Sequence, residues 1–165
     1  MKHSIYLISR YGRIEEMQAI AADLTELGHD VCSSWVKGEH KALDNKATFE
    51  QLQRWCNIDI KDLEQASLII AFTEQPGNSH ARGGRHVEYG YALAFAQNAP
   101  HHVWLHVVGH RENMHYCAPE IVFWNTWEAL RAHLIMTSSI RKADVSSTTE
   151  GQNRDILDVK RKDDI

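Results

Sequence analysis

The segment from Arg82 to Tyr91, RGGRHVEYGY, carries residue types suited to chemistry on a polar or anionic ligand. Gly83 and Gly84 allow a ligand to approach the backbone closely, and free N–H groups at a helix start attract anions. Glu88 would lie in the first turn or so of that helix, where the helix dipole favours the ionised carboxylate. Such a carboxylate is suited to nucleophilic attack. The alternative is an ordinary surface Glu that only stabilises the helix.

Asp59 is the second carboxyl group of interest. It recurs with Leu52, Cys56 and Leu63 at helical spacing, which puts it along the edge of a stripe predicted to be buried. A buried carboxylate is costly unless it is paired or hydrogen-bonded. Two roles therefore stay open for Asp59, a structural contact to an arginine or a backbone group, and catalysis.

A turn containing two arginines follows the first predicted strand, at Ser9, Arg10, Tyr11, Gly12 and Arg13. Two guanidinium groups around a glycine suit bidentate contacts to a phosphate or carboxylate, although solvated surface arginines have the same sequence pattern. The tyrosine can hydrogen-bond a catalytic carboxylate or flank a sugar. Neither G-x-G-x-x-G nor G-x-x-x-x-G-K-[ST] occurs, so a dinucleotide fingerprint or a P-loop is not supported.

Strands alternate with helical patterns along the chain. The predicted strands are Ser4–Ser9, His29–Trp35, Ser67–Thr73, His102–Val108 and Glu120–Trp124. This alternation predicts a parallel sheet with right-handed crossovers, and five strands favour an α/β, flavodoxin-like three-layer sandwich of order 2-1-3-4-5. Ligands of such sheets bind beyond the carboxyl ends of the strands.

That binding rule selects three loops. They are the turn at Ser9–Arg13, the loop after Trp35, and the stretch Thr73–Arg85, which includes Glu74. Because the carboxyl ends of parallel strands meet at one edge, we expect these loops to surround a common site.

Length and composition limit the classes of partner. The 165 residues fit one α/β domain over 1–136, followed at 137–165 by a polar segment that we expect to be a flexible tail. The net charge of -4 disfavours binding to polymeric nucleic acid but allows mononucleotides. No apolar run reaches the roughly 18 residues of a membrane span, so we expect no membrane partner.

The cysteines and histidines indicate the compartment and the metal content. The chain has 3 cysteines, widely spaced and without a C-x-x-C motif, which favours a reducing cytoplasm. It has 11 histidines but no H-E-x-x-H or Cys-His spacing of a zinc site. We therefore expect no metal ligands.

Three segments carry a family resemblance: IYLISRY at 5–11, ASLIIAFTE at 66–74 and RGGRHVEYGYALA at 82–94. Together they resemble the nucleoside 2-deoxyribosyltransferase family and its deoxynucleotide N-glycosidase relatives, over about residues 4–130. The resemblance implies a flavodoxin-like fold, glycosyl chemistry on a small nucleoside or nucleotide, and no cofactor. It also implies a homo-oligomer whose neighbouring subunits complete the sites.

The resemblance also assigns roles to residues. Glu88 falls at the position of the family's nucleophile, Tyr11 near that of a tyrosine beside it, and Asp59 at a frequent acidic position before strand three. Two positions depart from the family pattern. Many members have Asp where this chain has Ser67, and in transferases that Asp is thought to face the nucleobase as proton donor. Many transferases also have an acidic residue where this chain has Arg82.

These observations lead to one hypothesis of function. The protein would cleave or transfer the N-glycosidic bond of a 2-deoxyribonucleoside or its 5′-monophosphate, through a covalent intermediate on Glu88. Tyr11 would orient Glu88, and Asp59 or Glu74 would protonate the leaving base. Four arginines favour a phosphorylated ligand, namely Arg10, Arg13, Arg82 and Arg85.

The remaining site assignments concern ligand contacts. The backbone at Gly83 and Gly84, together with Arg85, would hold the sugar or its phosphate, and Trp35 would either stack on the base or fill the core. The alternative function is a non-catalytic nucleotide-binding module, a sensor or sequestering protein. Such a module would keep the arginines and glycines but would not need an ionised Glu88.

Overall fold

The computed structural model describes residues 2–38, 46–76, 83–99 and 103–138. It contains one five-stranded sheet in which every neighbouring pair of strands is parallel. The strands are β1 (Ser4–Ile8), β2 (Asp30–Val31), β3 (Leu68–Phe72), β4 (Trp104–Val108) and β5 (Ile121–Trp124). Their order, β2-β1-β3-β4-β5, confirms the predicted topology.

The helices α1 (Ile14–Glu26), α2 (Phe49–Glu64) and α3 (Gly84–Asn98) connect consecutive strands, and α4 at 127–138 follows β5. Because parallel crossovers are right-handed, α1 lies on one face of the sheet and α2 and α3 on the other. The connection from β4 to β5 is shorter and contains only a 3₁₀ helix, Met114–Cys117.

Local sequence explains where these elements begin. A capping box opens α2: Thr48 Oγ1 accepts the N–H of Gln51 at 3.3 Å, and Gln51 Oε1 accepts the N–H of Thr48 at 2.8 Å. Gly83 precedes α3 with φ of 82°, the left-handed region that favours glycine. All residues of β3 are buried, as its unbroken apolar sequence predicts for a central parallel strand.

The second strand is shorter than its predicted span of His29–Trp35. Only Asp30 and Val31 form β2, and the chain turns into a 3₁₀ helix at Ser34–Lys37. The side chain of Ser33 explains why β2 is short, because its Oγ accepts the N–H of Leu7 at 2.6 Å. That N–H would otherwise be available to hydrogen-bond a longer β2. A hydroxyl that competes for backbone donors ends a strand early.

Thr73 joins the carboxyl ends of β3 and β4. Its Oγ1 donates to the carbonyl of Val108 at 3.0 Å and accepts the N–H of His110 at 2.6 Å. Between them Gly109 has φ of 118°, and a Cβ there would lie 2.7 Å from Thr73 Oγ1. Thr73, predicted to contact substrate, thus has a hydrogen-bonding role within the fold.

Residues 2–127 form one compact unit, and the described residues 128–138 belong to a second one. The predicted tail at 137–165 lies outside the described residues beyond position 138. In the described parts of the chain, no helix is long and apolar enough to cross a membrane. Nor do those parts group three or more His, Cys, Asp or Glu residues as a metal site would require.

Candidate active site

Two carboxyl groups and a phenol come together between the sheet and the helices α2 and α3. The hydroxyl of Tyr6, in the middle of β1, donates to Glu88 Oε2 on α3 at 3.4 Å. Asp59 on α2 is close enough for its charge to act on both Glu88 and Tyr6. The two carboxyl residues singled out in the sequence are therefore brought to one place by different helices.

Partial burial raises the pKa of both carboxyl groups. It raises the pKa of Glu88 to about 8, with a further rise from the negative charge of Asp59 and a smaller opposing effect of the Tyr6 hydrogen bond. Burial likewise raises the pKa of Asp59 to about 7, and the charge of Asp62 adds to it. Because the groups interact, they titrate as a pair. The helix dipole predicts an ionised Glu88, but the effect of burial on its pKa is larger and favours the protonated form.

Tyr6, and not Tyr11, supplies the hydroxyl next to Glu88. Tyr11 lies in a 3₁₀ helix after β1, where its ring is 47% exposed and its centroid is 6.4 Å from that of Trp35. Tyr6 was not predicted from the sequence, because a tyrosine in an apolar strand has the same pattern as a core residue. Its hydroxyl group could have indicated a polar neighbour, since a buried tyrosine hydroxyl usually needs a hydrogen-bond partner.

Asp62 is a third acidic residue near this pair, and it is not among the residues predicted from the sequence. It lies almost one turn after Asp59 on α2, and its Oδ2 accepts the N–H of Ser34 at 2.7 Å. Beside it, Trp35 is buried and its indole donates to the carbonyl of Leu7 at 2.8 Å. Trp35 thus has the core-filling position that was one of its two predicted roles.

The two arginines of the first turn surround Glu74. Arg13 Nη1 lies 3.4 Å and Arg10 Nε 3.6 Å from Glu74 Oε1. Arg13 also forms two hydrogen bonds with Glu16, at 2.7 and 2.6 Å, and donates to the carbonyl of Thr73 at 3.2 Å. Arg13 is therefore largely committed to protein partners, and the carboxylate of Glu74 is held by two cations.

Arg85 is also committed to the protein. Its side chain is 2% exposed and makes two hydrogen bonds to Glu112, at 2.6 and 2.8 Å. Glu112 Oε1 also accepts the N–H of Glu74. Arg85 thus holds a neighbouring loop at the place where the sequence predicts a contact to the sugar or phosphate.

Some polar groups at the carboxyl edge keep unused hydrogen-bonding capacity. Ser9 Oγ and Arg10 Nε are buried, and neither has a hydrogen-bond partner within the described part of the chain. Among the described residues, a Cβ added at Gly83 or Gly84 would meet nothing within 4 Å. Arg82 lies outside the described residues. A polar ligand group at this edge would satisfy Ser9 and Arg10.

Ser67 lies at the opposite, amino edge of the sheet. Its Oγ accepts the N–H of Ser4 at 3.2 Å and lies 3.1 Å from Nδ1 of His3. An acid at this position would therefore lie at the edge opposite to the loops that follow β1 and β3.

A surface depression of about 480 Å³ runs along the outer side of α2. Its lining consists of Glu50, Gln53, Arg54, Asn57, Ile58 and Lys61. It contains neither carboxyl group with a raised pKa, and every lining residue belongs to one helix. We therefore place the candidate site at Glu88, Asp59 and Tyr6, where the titratable groups converge.

No family model and no protein of curated function matches the sequence. Among solved structures, the chain is similar to a 2-deoxyribosyltransferase of Bacillus psychrosaccharolyticus, at 15% identity and a TM-score of 0.59, over 79% of this chain and 95% of that one. It is also similar to the CMP N-glycosidase of Clostridium botulinum, at 16% identity and a TM-score of 0.48, over 81% of this chain and 98% of that one. The first similarity confirms the predicted fold.

The raised pKa of Glu88 predicts a pH-dependent gain in stability for Glu88→Gln. A carboxyl group with pKa near 4.5 unfolded and about 8 folded costs the native state increasing free energy as pH rises between these values. The variant lacks this cost, so we expect it to exceed the wild type by about 1–3 kcal/mol in free energy of unfolding at pH 9 and by little at pH 5.

Urea unfolding at both pH values measures this difference. Glu26→Gln, which changes an exposed carboxylate on α1, is the matched control and should give the same small difference at pH 5 and pH 9. A Glu88→Gln difference that does not change with pH would contradict a raised native pKa.

Proposed function

We propose that this protein cleaves or transfers the N-glycosidic bond of a 2-deoxyribonucleoside or its 5′-monophosphate. The observation that carries the proposal is the partly buried pair of Glu88 and Asp59, with Tyr6 donating to Glu88. Retaining glycosyl chemistry uses a carboxylate nucleophile and a carboxylic acid in this way. The resemblance of the sequence to 2-deoxyribosyltransferases supports this choice of substrate.

The reaction would proceed in two steps. Ionised Glu88 attacks the anomeric carbon of the sugar, the bond from that carbon to the base nitrogen breaks, and protonated Asp59 gives its proton to the leaving base. Water or a second base then attacks the same carbon and releases Glu88, while Asp59 recovers a proton from the incoming nucleophile. The transition states resemble an oxocarbenium ion, and the carboxylates stabilise its positive charge.

The productive state requires one proton on the pair, held by Asp59. Partial burial raises the pKa of both groups and so disfavours the ionised form of Glu88. Hydrogen bonds donated to the ionised form shift this balance, and the Tyr6 hydroxyl already supplies one. A sugar hydroxyl that donates to Glu88 would supply another, so that substrate binding would activate the nucleophile.

The carboxyl edge of the sheet would bind the rest of the substrate. Ser9 Oγ and Arg10 Nε are buried donors without hydrogen-bond partners in the described residues, and they suit a phosphate or a 5′-hydroxyl. The backbone at Gly83 and Gly84 leaves room beside the start of α3, where N–H groups attract an anion. Arg82 would add a cation from the same loop.

A non-catalytic nucleotide-binding module is the second candidate. The observation that favours it is the raised pKa of Glu88, because a protonated carboxylic acid is a hydrogen-bond donor to a ligand and not a nucleophile. In that case the pair would recognise a sugar and a base without breaking the bond between them.

Replacement of the nucleophile separates these two functions. Glu88→Gln should lower base release by at least about 1000-fold while leaving the fold intact, because an amide of similar volume is a poor nucleophile. Chromatography of free base from a panel of deoxynucleosides and deoxynucleoside monophosphates measures the loss. Unchanged turnover in Glu88→Gln would refute the covalent mechanism, and binding without base release by the wild type would favour the binding module.

The pH–rate profile identifies the acid. We expect a bell-shaped profile for the wild type, because only the singly protonated pair is productive. Asp59→Asn should lose the alkaline limb. Glu74→Gln is the matched control, because the carboxylate of Glu74 is held by Arg10 and Arg13, and it should keep both limbs. Loss of the alkaline limb in Glu74→Gln alone would assign the acid to Glu74 instead.

We also propose that the protein acts as a homo-oligomer. Large apolar side chains are exposed on α2 and α3: Phe49 is 74% and Val87 75% exposed, and Leu52 and Tyr91 are partly exposed as well. The periodicity of α2 predicts that part of this surface is buried, which a second copy of the chain would achieve.

A charge placed in this apolar surface should disrupt the assembly. We expect the wild type to sediment as a dimer or larger species and Phe49→Glu to sediment as a monomer. Met136→Glu, at a residue 63% exposed on α4, is the matched control and should leave the mass unchanged. A monomeric wild type at micromolar concentration would refute the proposal.

A further inference from the structure

The start of α3 is tied to two loops through Glu112. The carboxylate of Glu112 accepts two hydrogen bonds from Arg85 in the first turn of α3, at 2.6 and 2.8 Å. The same carboxylate accepts the N–H of Glu74, which follows β3. Glu112 itself belongs to the connection between β4 and β5. One side chain therefore joins three segments that are distant in sequence.

This ion pair is more deeply buried than the other bidentate pair among the described residues, Arg13 with Glu16. Arg13 and Glu16 are three residues apart on the surface, and Glu16 is 49% exposed. Arg85 and Glu112 are 27 residues apart, and their side chains are only 2% and 9% exposed. A buried bidentate pair fixes relative position strongly, because neither partner has water as an alternative.

The same segment contacts α3 at two further points. Tyr89 donates its hydroxyl to the carbonyl of His115 at 2.8 Å, and Nδ1 of His86 lies 3.0 Å from the hydroxyl of Tyr116. The rings of Tyr89 and Tyr116 also lie 4.2 Å apart. Residues 112–116 thus hold the first turns of α3 on one side, and Tyr6 meets Glu88 from the sheet.

We infer that Glu112 is a positioning residue for Glu88: by fixing the first turn of α3, it holds the Glu88 carboxyl group against Tyr6 and next to Asp59. Arg85 precedes Glu88 by three residues, so both belong to the same turn of the helix. Glu112 acts through Arg85, through the backbone of Glu74 and through His86, whose Nε2 lies 3.8 Å from Glu112 Oε2. As far as turnover is concerned, this inference depends on the proposed function.

The charge environment of Glu88 provides the readout. Among the described residues, Tyr6 from β1 and Asp59 from α2 act on Glu88, and Asp62 from α2 acts on Asp59. Release of the first turn of α3 would move Glu88 away from Tyr6 and toward water. The pKa of Glu88 would then fall toward the ordinary value of a glutamic acid, because burial is the main cause of its rise.

The experiment titrates Glu88 by carbon NMR of protein with labelled glutamate side chains, assigned with Glu88→Gln. We expect Glu112→Gln to lower the pKa of Glu88 by one unit or more. Arg85→Lys should lower it as well, because a lysine keeps the charge but cannot make both hydrogen bonds. Glu16→Gln, which breaks the exposed pair with Arg13, is the matched control and should leave the pKa of Glu88 unchanged.

Two results would overturn the inference. One is an unchanged pKa of Glu88 in a folded Glu112→Gln protein. The other is a fall in Glu112→Gln without one in Arg85→Lys, which would assign the effect to lost charge. If Glu112→Gln does not fold, Arg85→Lys alone decides between a lower and an unchanged pKa. The titration requires no turnover, so absence of base release in the wild type would count against the proposed function and leave this test intact.

Discussion

Partial removal of two interacting carboxyl groups from water is the constraint on which the rest of the structure depends. Glu88 and Asp59 reach each other's electrostatic range from two helices that flank the sheet, and partial burial raises the pKa of both. The arrangement costs free energy whenever both groups are ionised. It persists because β1, α2 and α3 are each anchored elsewhere, and the Tyr6 hydroxyl gives Glu88 one fixed hydrogen bond.

The polar and charged residues of the loops divide into two groups with different physical roles. The bidentate pairs of Arg13 with Glu16 and of Arg85 with Glu112 hold their segments in place. Among the described residues, Ser9 Oγ has no hydrogen-bond partner, and Arg10 Nε has the 3.6 Å ion pair with Glu74 Oε1 but no hydrogen bond. Groups of the first kind hold the loops at the carboxyl edge in place, and groups of the second kind are available to a ligand. The proposed substrate therefore interacts with few of the charges that the sequence places in these loops.

The fold was predictable because its signals are local. The apolar run of β3 and the alternation of strands with helical patterns fix the order of the sheet. Glu88 and Asp59 were found because their residue type and spacing are unusual. Tyr6 was missed because its pattern is that of a core residue, and Glu112 because its partner Arg85 is 27 residues away. Long-range pairs leave no periodicity in a single sequence.

The short connection between β4 and β5 affects how the molecule opens. A 3₁₀ helix covers less of a sheet than a full helix, and β5 is an edge strand in which no residue is fully buried. Local unfolding begins where few apolar contacts hold a strand, so transient opening starts at β5 and at the other edge strand, β2, whose two residues are not buried either. The strands β1 and β3, buried apart from Ser4, open last. The amide protons of these two strands, that of Tyr6 among them, therefore exchange most slowly.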